Sequence, residues 1–285
     1  MISLVFFGSS DHSVLILQKL LGLNNFSVNL VVTKIDKPFG RDQIITPNPV
    51  AKFAKDHHLN LLQIEEFTKD YKLQIKNYQA DLGLCIAFGP PFFDQEMIDI
   101  FPKGIINIHP SPLPKYRGAT PGPWQIINGE TDSGVSFFLI DALPDHGPII
   151  KTLSFTISPT DTAAIFYQKA FALASENLDQ IISDYALNPT VYPQDHSQKS
   201  YFPKLTKDMG KIDWSQDDVK IDRFIRGLNP WPIAWTFVRN SQGIEFKMKI
   251  FTSKFDQKLI LETVQLEGKT KTKWSEISPY YQIVK

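Results

Sequence analysis

Residues 1–10 read MISLVFFGSS. From Ile2 to Phe7 the run is almost wholly apolar, and it stops at Gly8-Ser9-Ser10. A strand covered on both faces has that composition, because neither face meets water. Residues 14–23 then carry apolar side chains at helical spacing, and 28–33 read as the next strand. A helix is expected at 49–58, with Pro47 and Pro49 near its start. Further strands are expected at 59–63, 82–87, 104–108 and 135–140. A long helix follows at 162–186, opened by Ser158-Pro159-Thr160-Asp161. Strand–helix alternation at this spacing predicts an α/β fold: a Rossmann-like, mostly parallel sheet with helices on both faces.

The pattern changes at 188–200, NPTVYPQDHSQKS, which has two prolines and no helical period. It reads as a linker. Beyond it the sequence predicts a short helix at 219–227 and strands at 236–238, 244–251 and 259–266. The expected division is 1–187 as a catalytic domain, 188–203 as linker, and 204–285 as a small β-rich domain.

The chain has 285 residues, 42% of them hydrophobic and 21% charged, which describes an ordinary globular protein. The first residues read as a strand and not a signal peptide, and no apolar run approaches the ~20 residues that span a bilayer. A single cysteine, Cys85, excludes an intramolecular disulfide and a cysteine-based zinc site. His57-His58 beside Asp56 diverge on a helix and face its C-terminal dipole, so no metal is expected. A cytoplasmic monomer is the expectation. Residues 1–198 hold 14 basic and 20 acidic side chains, a net −6, and 199–285 hold 16 and 10, a net +6. The second part therefore suits a polyanion. No G-x-G-x-x-G or G-x-x-x-x-G-K is present, so neither nucleotide loop is indicated.

Residues 105–124, IINIHPSPLPKYRGATPGPW, carry the chemistry. Asn107 and His109 are two apart on a strand and share one face. Pro110 cannot donate to a ladder, so the strand ends at His109. In open α/β sheets ligands sit outside the carboxyl ends of the strands. An amide and an imidazole are thus delivered side by side to that crevice. The strand at 135–140 ends in DALPDHG, with Asp141, Asp145, His146 and Gly147. A carboxylate from this loop can orient the imidazole and favour its charged form. An amide donor, an imidazole and a carboxylate suit direct attack of an amine on a carbonyl carbon, with no side-chain nucleophile. Taken alone, His109 could equally be a hydrogen-bonded structural residue, and Asp145 a turn former.

N-I-H-P-S-P-L-P-K-Y-R-G-A-T-P followed by D-A-L-P-D-H-G resembles the folate-dependent formyltransferases, whose hallmark is Asn-x-His-x-Ser-Leu-Leu-Pro with Asp-x-Gly farther on. The resemblance implies that Asn107, His109 and Asp145 are catalytic. It implies that Ile86, Ala87, Phe88, Gly89, Ser111, Pro112, Leu113, Pro114, Asp141 and Ala142 contact 10-formyltetrahydrofolate as cosubstrate. DKPFGRDQIITPNPV at 36–50, YFPKLTKDMGKIDWSQ, FIRGLNPWPIAW and LETVQLEGKTKTKW resemble the branch of the family whose acceptor is methionyl initiator tRNA. That branch implies a C-terminal barrel of the oligonucleotide-binding type, here short in strands, and tRNA contacts at Lys37, Arg41, Arg117, Lys269, Lys271 and Lys273. Read alone, the lysines of GKTKTKW lie at period two and would form a phosphate rail on an extended segment, or simply be solvated. Trp231 and Trp235 suit packing. Departures from the family pattern are Pro112 for the usual first Leu, His146 for a common Thr, and Gly122-Pro123 where Ile-Gln is usual. Two alternatives stand beside this expectation: a formyltransferase for an amino sugar nucleotide, and an inactive RNA-binding protein on the same scaffold.

Overall fold

A computed structural model describes residues 1–39 and 44–284. The chain forms two compact units that do not follow chain order. The first comprises Met1–Arg117, Gly134–Ser154 and Gln168–Tyr201; the second comprises Gly118–Ser133, Phe155–Tyr167 and Phe202–Lys285.

The first unit is built on a seven-stranded sheet. Its strands are β1 (Ile2–Gly8), β2 (Phe26–Lys34), β3 (Leu61–Ile64), β4 (Leu82–Ile86), β5 (Ile105–His109), β6 (Asp132–Leu139) and β7 (Ile149–Thr156), in spatial order β3-β2-β1-β4-β5-β6-β7. The first five are parallel to their neighbours, and β6 runs antiparallel to β5. β1 is central, and Leu4, Val5, Phe6 and Phe7 are all fully buried, as its unbroken apolar run requires. Phe7 meets Phe67, Phe88, Phe93 and Phe101 edge-on, with ring centroids 5.1–6.2 Å apart.

The turn after β1 explains Gly8-Ser9-Ser10. A Cβ on Gly8 would lie 2.6 Å from that of Ser13, so only glycine lets helix α1 (Asp11–Leu21) start this close to the strand. Ser10 caps α1 in a reciprocal pair with Ser13, whose hydroxyl donates to the Ile86 carbonyl at 2.7 Å. The carboxyl ends of β1 and β4 are thereby joined. Asn48 does similar work after β2: its side chain accepts from Ala51 N to cap α2 (Pro49–Asp56) and donates to the Lys34 carbonyl.

Segment 188–200 runs along the first unit. Tyr192 exchanges two backbone bonds of 2.8 Å with Ile149, and Ser200 O accepts from Arg117 N at 2.9 Å. Its sequence lacks periodicity because side chains, not a ladder, hold most of it.

The second unit pairs two helices with an antiparallel sheet. Calling 69–77 α3, 95–98 α4, Pro121–Asn128 α5, Ala163–Leu187 α6 and Asp218–Gly227 α7, helices α5 and α7 touch where Gly227 meets Ile127 and the Pro123 carbonyl. The sheet strands are β8 (Ala234–Asn240), β9 (Glu245–Ile250), β10 (Thr263–Leu266), β11 (Thr272–Lys273) and β12 (Tyr281–Val284), in order β11-β10-β9-β8-β12. Among the described residues the edge strands β11 and β12 do not pair with each other, so the expected barrel is an open half-barrel. Met248, Ile250, Val238 and Val264 form its core with Ile225 and Leu228 of the preceding helical segment.

Several elements differ from the sequence expectation. The stretch 259–266 is two strands, because Glu262 turns out of the ladder and its amide bonds Thr252 O. The first of them pairs with Ser253–Asp256 in a separate hairpin. α5 was hidden by its prolines, of which Pro121 opens the helix where no amide is needed. β7, α3 and β12 were also not expected; each is short on sequence periodicity and half-exposed. Trp235 packs, donating its indole N–H to Lys207 O at 3.0 Å, whereas Trp231 is 46% exposed. His57 caps α2 and stacks on Phe53. No helix among the described residues is long and apolar enough to cross a membrane.

Cys85 lies on β4, 5% exposed, and burial pushes its thiol up to about 12. The native protein should therefore not react with a thiol reagent at pH 8, while the unfolded chain should titrate one thiol. Rapid stoichiometric labelling without denaturant would contradict this packing.

Candidate active site

β5 ends as Pro110 dictates, at the carboxyl edge of the sheet. Asn107 faces Cys85 on one side and Phe138 on the other, and His109 faces Ser136. The Asn107 carboxamide makes no hydrogen bond among the described residues, and the residue is half-buried. His109 is 6% exposed, and its Nε2 donates to the Tyr116 carbonyl at 3.0 Å. A carbonyl can only accept, so Nε2 holds a proton and Nδ1 is the atom turned to the site. The stiff stretch after Pro110 serves this bond: Ser111 Oγ donates to Lys115 O, and Ser136 Oγ donates to Ser111 O, fixing the turn that brings Tyr116 back.

The loop after β6 supplies the carboxylate. Asp145 Oδ1 lies 3.7 Å from His109 Nδ1, an ion-pair distance between groups 36 residues apart in sequence. Asp145 has φ +51°, left-handed backbone that Asp adopts more readily than most residues. At the root of the loop a Cβ on Gly147 would sit 1.9 Å from the Leu139 carbonyl oxygen, so the chain closes there only on glycine. The carbonyls of Asp145 and Gly147 both accept from Gln194 Nε2, at 3.1 and 2.7 Å. Gln194 Oε1 accepts from Arg117 at 2.5 Å. The same arginine nitrogen donates to His196 Nδ1 at 2.8 Å, and the His196 ring stacks on that of His146, which holds Asp141 at 2.6 Å. Burial holds the Arg117 guanidinium below its usual range, opposed by Asp145 and Asp141. Desolvation, then His146 and Arg117, push the His196 imidazole down.

The structure thus brings Asn107, His109 and Asp145 into one neighbourhood of the first unit. Of the residues expected at the folate, Ala87 and Gly89 are exposed with left-handed backbone, while Phe88 is 3% exposed and belongs to the core around Phe7. Ser111 and Leu113 are buried, Pro112 and Pro114 half-buried, and Asp141 and Ala142 lie on the loop with Asp145.

The cations expected to meet tRNA are placed differently. Lys37 is exposed, and Arg41 lies outside the described residues. Arg117 is 6% exposed and spent on Gln194 and His196, which removes it from contact with a phosphate. Lys269 lies in the turn after β10, Lys271 sits over the Phe251 ring at 3.9 Å, and Lys273 is on β11. All three are exposed, but they do not share one extended segment. Lys269 closes the turn that contains Gly268, its amide bonded to Leu266 O, and of the three only Lys273 is on a strand.

Sequence reasoning missed Gln194, His196 and Lys34. Lys34 ends β2; its ammonium donates to the Pro90 carbonyl and lies 3.9 Å over the Phe88 ring. Burial, helped by Lys37, pushes it down to about 8. Methyl-lysine NMR titration should show one inflection near pH 8, lost on Lys34→Met; a full set of inflections near 10 would place this ammonium in water.

Comparison with known proteins finds a match to the family model described as formyl transferase over residues 2–182, and to that described as formyl transferase, C-terminal domain, over 204–258. The methionyl-tRNA formyltransferase of Ruminiclostridium cellulolyticum is 35% identical over 242 residues, covering 84% of this chain and 77% of that one. That of Chloroflexus aurantiacus is 36% identical over 240 residues, covering 83% and 76%. Among solved structures, an N-formyltransferase from Helicobacter canadensis, in complex with folinic acid and dTDP-3-aminofucose, superposes with a TM-score of 0.64 at 22% identity, covering 90% of this chain and 88% of that one. This last likeness is one of fold.

Proposed function

The chain belongs to the formyl transferase family, and on that premise we propose that Asn107, His109 and Asp145 transfer the formyl group of 10-formyltetrahydrofolate to the α-amine of methionyl initiator tRNA. The observation that supports the assignment of residues is the 3.7 Å approach of Asp145 to His109 Nδ1, beside an uncommitted Asn107 amide.

The reaction forms a bond from the amine nitrogen to the formyl carbon and breaks the bond from that carbon to the folate nitrogen. Negative charge develops on the formyl oxygen, where Asn107 N–H and protonated His109 Nδ1 donate. The attacking amine becomes acidic as it bonds. Asp145 accepts its proton, which returns to the departing folate nitrogen. The Tyr116 carbonyl keeps Nε2 occupied, so the imidazole can engage the reacting atoms only through Nδ1. Residues 1–187 carry this chemistry, and 204–285, the basic part of the chain, meets the tRNA with Lys269, Lys271 and Lys273, aided by Lys37 and Arg41. Each phosphate contact would steepen the salt dependence of binding by a slope of roughly 0.7 to 0.9. The working location is the cytoplasm and the working form a monomer. An amino sugar nucleotide as acceptor has in its favour likenesses of fold at 22% identity or less.

Purified protein, incubated with the formyl donor, should formylate methionyl initiator tRNA and leave unacylated and elongator tRNA unmodified. Transfer to a nucleotide amino sugar alone would favour the other acceptor. Asp145→Asn should fold normally and lower turnover by about 10²-fold or more. Near-normal turnover in that variant would remove Asp145 from the mechanism.

A further inference from the structure

Gln194 sits in a segment whose sequence resembles a tether, yet it is 6% exposed and makes three side-chain hydrogen bonds. Its oxygen accepts from Arg117, and its two N–H groups go to the carbonyls of Asp145 and Gly147, the residues on either side of His146. Arg117 follows Tyr116, whose carbonyl receives His109 Nε2. A circuit closes: His109 to Tyr116, along the chain to Arg117, to Gln194, to the Asp145 backbone, and through the Asp145 carboxylate back to His109 Nδ1. Both ring nitrogens of the imidazole are therefore referenced to one amide side chain.

The segment is well placed to act as a fixed frame. Tyr116 N donates to Ser200 Oγ at 2.9 Å, Arg117 N to Ser200 O at 2.9 Å, and Tyr192 pairs with Ile149 next to the loop's far end. The loop itself is exposed at 142–144 and carries Asp145 in left-handed backbone, so it depends on outside partners for its shape. Arg117 Nε, buried and without a hydrogen-bond partner, shows that the guanidinium is placed for its terminal nitrogen and not for its own saturation.

We propose that Gln194 is a positioning residue of the transfer reaction: its carboxamide, oriented by Arg117, fixes the backbone on both sides of His146 so that the Asp145 carboxylate meets His109 Nδ1. This rests on the reading of Asp145 and His109 as the reacting pair. Gln194 is buried and its amide is bonded to protein groups, so its effect is expected on turnover and not on binding.

Gln194→Glu separates this role from a merely structural one. It keeps the shape and gives Arg117 a carboxylate, but takes both donors from the loop. Turnover should fall about 10-fold, with KM for folate and tRNA within about twofold, because reacting groups lose alignment while contacts to substrate persist. The melting temperature should hold or rise, and amide hydrogen exchange over 139–148 should quicken. Gln194→Met, without either function, should lose turnover alike and also lower the melting temperature. Wild-type turnover in Gln194→Glu, or a loss of turnover with unchanged loop exchange, would overturn the proposal. A wild-type chain that formylates no tRNA would sink the functional reading instead, and exchange in the glutamate variant would still decide whether the brace exists.

Discussion

The hydrogen bond from His109 Nε2 to the Tyr116 carbonyl, 3.0 Å long, governs the site. It fixes which ring nitrogen faces inward, and it requires the chain to return within seven residues of leaving the strand. The prolines between them make that return stiff. Proline removes backbone donors and unfolded-state freedom together, so the turn loses little entropy on ordering. Three side-chain hydroxyls, those of Ser111, Ser136 and Ser200, complete the turn by binding backbone groups that the prolines leave without a ladder.

Electrostatics around the site follow from burial more than from net charge. Arg117 is a buried cation whose direct partners are a neutral amide and an imidazole, with carboxylates only farther off. A cation held in this way is costly to desolvate. Its neighbours Asp141 and Asp145 recover part of that cost through space. His146 and His196 stack with centroids 4.1 Å apart, and the arginine donating to His196 Nδ1 requires that atom to be unprotonated.

The sheet was legible because its signal is local. β1 reads as a buried strand from Leu4–Phe7 alone, and Asn107 with His109 follows from period two and Pro110. The brace was not legible. Gln194 meets Asp145 from 49 positions away, and nothing in QDHSQKS distinguishes a buried amide from a solvated one. The lysines of 269–273 show the limit of a local signal. Period two is present, but Lys269 lies in a turn and only Lys273 on a strand, and periodicity has meaning only on a continuous strand. Arg117 was expected at the tRNA, yet it is buried while Lys115, two residues earlier, is exposed. The prolines of 121–123 masked a helix because they sit in its first turn, where proline is welcome.

Gly147 has a consequence for how this enzyme can diversify. With a carbonyl oxygen 1.9 Å from where a first side-chain carbon would stand, the loop's root is closed to every substitution and to any inserted residue that displaces it. The tip is not: Ala142, Leu143 and Pro144 all face solvent. Natural variation among descendants of this chain should gather at those three positions, while the Asp145 carboxylate keeps its place beside His109.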